Sequence, residues 1–341
     1  MSKIGILGSG GWGIALGMVL ESNGHDVIIW SKFQSEIDDL INNREHKKSL
    51  PGVKIPEKIE FTTNICDTVK DKDLIICAVP SSFLRSTIRE ALEFIDIKIP
   101  IVVVSKGIEE GTGKVQTEII EDEVKGCTVC ALSGPTHAEE VSRKMPTTIV
   151  AASKDEEVAK FVQTLFMADY FRVYTSDDVM GVELGGSLKN VIALAAGMAD
   201  GMGCGDNAKA ALITRGIYEI TKLGLAMGGN IETFCGLSGI GDLIVTCASV
   251  HSRNRRAGVL IGQGKTMDEA VKEVQMVVEG IYSAKSALEL AKKYNVSMPI
   301  IEEVNKILFE NKPVKDAIND LMTRDKKAEH ITVSEDKIRL G

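Results

Sequence analysis

The sequence predicts an α/β fold: an N-terminal doubly wound, mostly parallel sheet followed by an all-α C-terminal domain. Three observations predict it. Unbroken apolar runs, such as Leu74-Ile75-Ile76-Cys77-Ala78-Val79 and Ile101-Val102-Val103-Val104, recur through the first half. Strands of that kind are buried on both faces beneath helices. Segments with helical spacing lie between them, so strand and helix alternate. Near residue 175 the strand signals stop and long helical patterns continue to about residue 322. The expected division is 1–178 for the sheet domain, 179–328 for the helical domain and 329–341 for a charged tail.

The first strand is expected at 3–7 and runs directly into Gly8-Ser9-Gly10-Gly11-Trp12-Gly13, after which a helix opens. This is a G-x-G-x-x-G turn between a strand and a helix. Gly8 makes the tight turn, Gly10 lets the main chain approach a pyrophosphate, and Gly13 lets helix and strand pack closely. The free N–H groups of the helix start complete an anion site. With Asp26–Trp30 as the next strand, a complete βαβ unit is present, and the N-terminal domain is expected to be Rossmann-type. Further strands are expected at 58–62, 73–79, 100–104, 128–132 and 147–152, with helices around 34–42, 64–70, 81–94, 114–122 and 155–167. In the second domain helices are expected at 177–200, 206–227, 254–262, 267–274, 280–294, 299–310 and 314–322. The first of these is rich in small residues, among them Gly185, Gly186, Ala195, Ala196 and Gly197, which lets neighbouring helices approach. Gly181 and Gly185 also match a membrane dimer motif, but Glu183, Lys189 and Asp200 count against it.

The 341 residues carry a net charge of −8, which argues against general nucleic-acid affinity while leaving room for a local anion pocket. No uninterrupted apolar run approaches the roughly 20 residues of a membrane span, and no signal peptide is visible. The seven scattered cysteines read as reduced thiols of a cytoplasmic protein. Cys127-x-x-Cys130 lies in an expected strand, where positions three apart face opposite sides, and reads as small buried hydrophobes. The five histidines have no metal-ligand spacing, and no metal is expected.

Several side chains carry chemistry. Lys106 follows a buried strand at the ligand-binding edge of the sheet. Strand two ends at Trp30-Ser31-Lys32, where an NAD-only site places an acid for the ribose 2′-OH. Ser31 and Lys32 can instead accept a 2′-phosphate, tilting the cofactor to NADP or to dual use; otherwise Lys32 points to water. Lys189 sits on the small-residue helix, where burial should depress its pKa and suit it to acid–base chemistry. Asp242 and Thr246 are four apart and share a helix face, although Asp242 could be only a cap. The run His251-Ser252-Arg253-Asn254-Arg255-Arg256 precedes a helix with Asn254 as its expected cap; it is either an anion site or a solvated face.

Taken together, Gly8–Gly13, Ser105-Lys106-Gly107, Leu132–Ala138, Glu183–Asn190, Gly236–Thr246, Ser252–Arg255 and Val278-Glu279-Gly280 resemble the bacterial type of NAD(P)-dependent glycerol-3-phosphate dehydrogenase. The resemblance spans residues 3 to about 328. It implies interconversion of sn-glycerol 3-phosphate and dihydroxyacetone phosphate with NADP or NAD, feeding phospholipid synthesis, and it leaves a homodimer open. It also implies residue roles. Lys189 would be the proton acceptor in alcohol oxidation, with Lys106 beside it on the substrate oxygens. Asn190, Asp242 and Thr246 would hold the reacting end, Gly134 and Thr136 would contact the substrate, and Ser252, Arg253 and Asn254 would form the phosphate site. Gly8, Gly10, Gly11, Trp12, Gly13, Lys32, Lys106, Ala138, Arg253, Val278 and Glu279 would line the cofactor. Many members carry Ser in place of Gly11, Arg or His in place of Lys32, and Tyr or Phe in place of Ser49. These departures bear on the adenosine contacts and on cofactor preference. Two other classes share parts of the pattern: another dehydrogenase of the hydroxy-acid or 6-phosphogluconate type, and a non-catalytic dinucleotide sensor.

Overall fold

The structure, a computed structural model, describes residues 1–326, 328 and 329. The charged stretch expected as a tail lies outside the described residues apart from Glu329.

Eight strands form one sheet: β1 Lys3–Leu7, β2 Asp26–Trp30, β3 Glu60–Thr62, β4 Leu74–Cys77, β5 Ile101–Val103, β6 Val129–Ser133, β7 Thr147–Ala152 and β8 Phe171–Ser176. Their order is β3-β2-β1-β4-β5-β6-β7-β8. All neighbouring pairs are parallel except β6 and β7. The strand order reverses between β1 and β4, so the crevice for a ligand opens beyond their carboxyl ends. Every residue of β4, β5 and β6 is buried, as their unbroken apolar runs require. The strand β8 was not expected. It alternates buried Phe171 and Val173 with exposed Arg172 and Tyr174, the pattern of a strand with one wet face.

The helix Val179–Gly201 is the axis of the second domain, and all but three of its residues are buried. Asp178 caps it by accepting from the Gly181 N–H at 2.8 Å and also holds Asn230 and Thr233. By length and composition alone this helix could cross a bilayer, but 94% of its most apolar window is buried inside the protein. Its small residues explain the packing. A Cβ at Gly197 would lie 2.1 Å from the Arg255 carbonyl, and one at Gly258 would lie 2.1 Å from that of Leu194. The central helix and the helix Arg253–Gly262 therefore touch backbone to backbone. A Cβ at Gly186 would come 2.6 Å from Ser133 Oγ, so the same helix also closes on the end of β6. That contact places Lys189 at the mouth of the sheet crevice.

Candidate active site

The glycine turn is built as its spacing requires. Gly8 has φ of 124°, and a Cβ there would strike the Ala78 backbone at 2.7 Å. A Cβ at Gly13 would meet the Gly8 carbonyl at 2.2 Å. Gly10 is different: nothing lies within 4 Å of the position its Cβ would take. The helix α1, Gly11–Ser22, begins beside that open space with no side-chain cap. Its first N–H groups are free to meet a phosphate. The indole Nε1 of Trp12 is buried in the same place with no hydrogen-bond partner among the described residues. An open cradle, uncapped helix donors and an orphaned N–H together fit the pyrophosphate of a dinucleotide.

From this turn a cleft of about 730 Å³ runs to the helical domain. Most of the residues expected in a site line it, including Lys32, Lys106, Thr136, Ala138, Lys189, Asn190, Thr246, Ser252, Arg253, Asn254 and Glu279. Gly11 and Ser49, two of the family departures, face each other; a Cβ at Gly11 would lie 2.9 Å from that of Ser49. Val278 does not line the cleft. Its side chain belongs to the helical core, and Met276 and Val277 take the lining positions instead.

At the centre, Asp242 bridges two lysines. Lys189 Nζ donates to Asp242 Oδ1 at 2.7 Å and to Thr246 Oγ1 at 2.6 Å. Lys106 Nζ donates to Asp242 Oδ2 at 2.6 Å and to the Gly134 carbonyl at 2.9 Å. Lys189 is 6% exposed and Asp242 is 1% exposed. Burial depresses the Lys189 ammonium and Lys106 adds to that, while Asp242 opposes; the result is a pKa of about 8. Burial alone would raise Asp242, but its two ammonium partners outweigh it and hold the carboxyl below the usual value. Asp242 is therefore more than a cap. It opens the helix Asp242–Ala248 after a π-helical turn, Leu237–Gly241, at the segment the sequence shows only as glycine-rich.

The basic run divides its labour. Ser252, not Asn254, caps the helix Arg253–Gly262, accepting from the Arg255 N–H at 3.2 Å. Asn254 lies one residue inside the helix and is buried, so its side chain points inward. It donates to Asn190 Oδ1 at 2.9 Å and accepts from the Gly280 N–H at 2.8 Å, tying three helices together. Arg255 pairs with Asp200 at 2.6 Å. Arg253 is exposed and lines the cleft. Across the opening, Glu279 accepts from Ser81 N at 3.1 Å and from Ser81 Oγ at 2.5 Å, fastening the helical domain to the turn after β4. Burial raises the Glu279 carboxyl, and the Ser81 bonds work against that.

His137 and His251 have no metal-ligand spacing in the sequence, and their rings sit 5.9 Å apart in the cleft. Burial and then Lys189 push the His137 imidazole down to about 4, so it is neutral near pH 7. Glu36, which no sequence motif singled out, also lines the cleft. Among the described residues, no group of His, Cys, Asp and Glu is arranged to hold a metal ion.

A dinucleotide crevice on a Rossmann sheet, closed by a helical domain carrying a buried lysine, defines a two-domain nicotinamide-dependent dehydrogenase. Comparisons with known proteins narrow the class. Residues 3–159 match the family described as NAD-dependent glycerol-3-phosphate dehydrogenase N-terminus, and residues 178–319 match its C-terminus. The chain belongs to this family. It is 60% identical over 330 residues to a glycerol-3-phosphate dehydrogenase [NAD(P)+] of Agathobacter rectalis, covering 97% of this chain and 98% of that one. A relative of the same name from Fusobacterium nucleatum is 58% identical over 96% of this chain and 99% of its own. The crystal structure of glycerol-3-phosphate dehydrogenase from Coxiella burnetii superposes with a TM-score of 0.92 at 35% identity, covering 95% of this chain and 99% of that one.

Proposed function

We propose that this protein interconverts sn-glycerol 3-phosphate and dihydroxyacetone phosphate, and that it works in the cytoplasm to supply glycerol 3-phosphate for phospholipid synthesis. The observation that carries the reaction is the Lys189–Asp242–Lys106 cluster, buried where the glycine-turn cleft meets the helical domain. A nicotinamide dinucleotide held along the glycine turn and the cleft would supply or accept the hydride. The protein's residues bind, orient and move the proton. Arg253 and the N–H groups at the start of its helix take the substrate phosphate, a remote contact that orients C2. Lys106 steadies the oxygens at the reacting end. In reduction, the Lys189 ammonium polarises the C2 carbonyl and gives it a proton; in oxidation, the neutral amine takes the C2 hydroxyl proton. A pKa of about 8 leaves both forms populated near neutral pH. Asp242 and Thr246 hold Lys189 in place, and Asp242 keeps its proton affinity from falling further.

The roles of Gly134 and Thr136 follow from position: the Gly134 carbonyl fixes Lys106, and Thr136 Oγ1 donates back to the same carbonyl at 3.0 Å. The two domains are divided near residue 178 in this proposal. The seven free cysteines support a reducing compartment. A substrate panel followed at the NAD(P)H absorbance band tests the assignment. Dihydroxyacetone phosphate should be reduced and 6-phosphogluconate and 3-hydroxy acids should not be oxidised. Cofactor binding without turnover on any hydroxy-phosphate would overturn it.

A further inference from the structure

The far end of the cleft is lined by a carboxylate, Glu36. The residues that could receive a 2′-phosphate, Ser31 and Lys32, are both turned to acids. Ser31 Oγ donates to Glu36 Oε2 at 2.5 Å. Lys32 Nζ lies 3.5 Å from Glu90 Oε2, with its side chain 68% exposed. Glu36 is in the first turn of α2, Gln34–Asn43, six residues beyond the β2 end where an acid would ordinarily be sought. The helix carries it back against the strand end and the glycine turn. His46 Nε2 lies 3.5 Å from its other oxygen. His46, Ser31 and Ser9 of the glycine turn outweigh partial burial and hold the carboxyl down to about 2. Glu36 is thus a fixed negative charge at physiological pH. It lines the cleft between the glycine turn and the end of β2, where an adenosine ribose lies in a Rossmann site.

We infer that Glu36 selects the dinucleotide, accepting a ribose hydroxyl of NAD(H) and repelling the 2′-phosphate of NADP(H). A phosphate monoester brings close to two negative charges. At this rim it would meet Glu36 and Glu90, with Lys32 exposed, screened and already shared. It would also have to take Ser31 Oγ away from Glu36. Like charges placed together are a standard means of rejecting a wrong ligand. The tilt to NADP drawn from Ser31 and Lys32 is thereby reversed: those residues belong to the acids around them.

The inference rests on the dehydrogenase assignment of the cleft, so binding is measured apart from turnover. The whole protein is titrated calorimetrically with NAD+, NADP+, AMP and adenosine 2′,5′-bisphosphate. The unmodified protein should bind NAD+ at least about tenfold more tightly than NADP+, and AMP more tightly than the bisphosphate. Glu36→Gln should move the NADP+/NAD+ affinity ratio toward NADP+ by about tenfold or more. Glu36→Asp keeps the charge and should keep the rejection, and a thermal melt shows whether each variant is folded. Steady-state reduction with NADH and NADPH should shift in the same sense. Equal affinities in the unmodified protein, a preference for NADP+, or an unchanged ratio in folded Glu36→Gln would overturn the inference. Binding of none of the four ligands would overturn the cofactor site itself, and this inference with it.

Discussion

Asp242→Asn separates the charge of the bridge from its shape. The carboxylate oxygens lie 2.6 and 2.7 Å from the two lysine nitrogens, and the group is 1% exposed. At an effective dielectric of about 20, opposite charges about 4 Å apart attract by about 4 kcal/mol, or about 3 pKa units. Readjustment of nearby groups and entry of water reduce that, so a fall of about 2 units is the working figure. Lys106 beside Lys189 pushes in the same direction. Lys189 should then titrate near 6 instead of about 8. At about pH 7.5 its ammonium fraction falls from about three-quarters to about one in thirty. Ketone reduction, which needs the ammonium, should slow about twentyfold at that pH and recover as the pH is lowered. The assay is kcat for dihydroxyacetone phosphate reduction across the pH range, with a thermal melt as the folding control. In the unmodified protein the reduction rate falls as pH rises through about 8, and the oxidation rate rises over the same window. An alkaline limb that stays at its original position in Asp242→Asn would refute the electrostatic role of the bridge.

Arg253→Ala should raise KM for dihydroxyacetone phosphate by about ten- to a hundredfold, the worth of a charged hydrogen bond, and leave non-phosphorylated dihydroxyacetone little changed. Equal losses on both substrates would misplace the phosphate site. Stability should also depend on pH through Glu183, which is buried, bonded to Thr117, and raised by burial to about 7. Between about 4.5 and 7 the folded form binds more protons than the unfolded chain, so stability falls as pH rises through that window, by up to about 3 kcal/mol. Glu219 is raised by burial in the same way, where it caps the helix at Ile300, so Glu183→Gln should flatten only part of the slope seen in urea melts. An unaltered slope would mean that Glu183 is not the titrating group.

The N-terminal sheet was legible because several of its strands are unbroken apolar runs and because strand and helix alternate; the order of the strands came from the structure. β8 escaped because Arg172 and Tyr174 interrupt its apolar residues; its alternation is that of an edge strand. Lys189, Asp242 and Thr246 were visible as candidates because a lysine stood on a small-residue helix and because an acid and a threonine four apart share a helix face. Their convergence was not visible, since Lys106, Lys189 and Asp242 come from three distant segments. The cap of the arginine helix was misplaced because Ser252 and Asn254 are both good capping residues, and only packing against Asn190 and Gly280 shows which one turns inward. Glu36 was hidden by offset: it reaches the ribose end from a helix, not from the strand that precedes it.

The central claim is that the buried amine of residue 189 handles the proton. Its most direct test is turnover of Lys189→Ala with dihydroxyacetone phosphate, alongside the affinity of the same variant for reduced cofactor. The predicted result is a fall in kcat of about 10² to 10⁴ with cofactor affinity retained. Near-normal turnover in that variant would contradict the account.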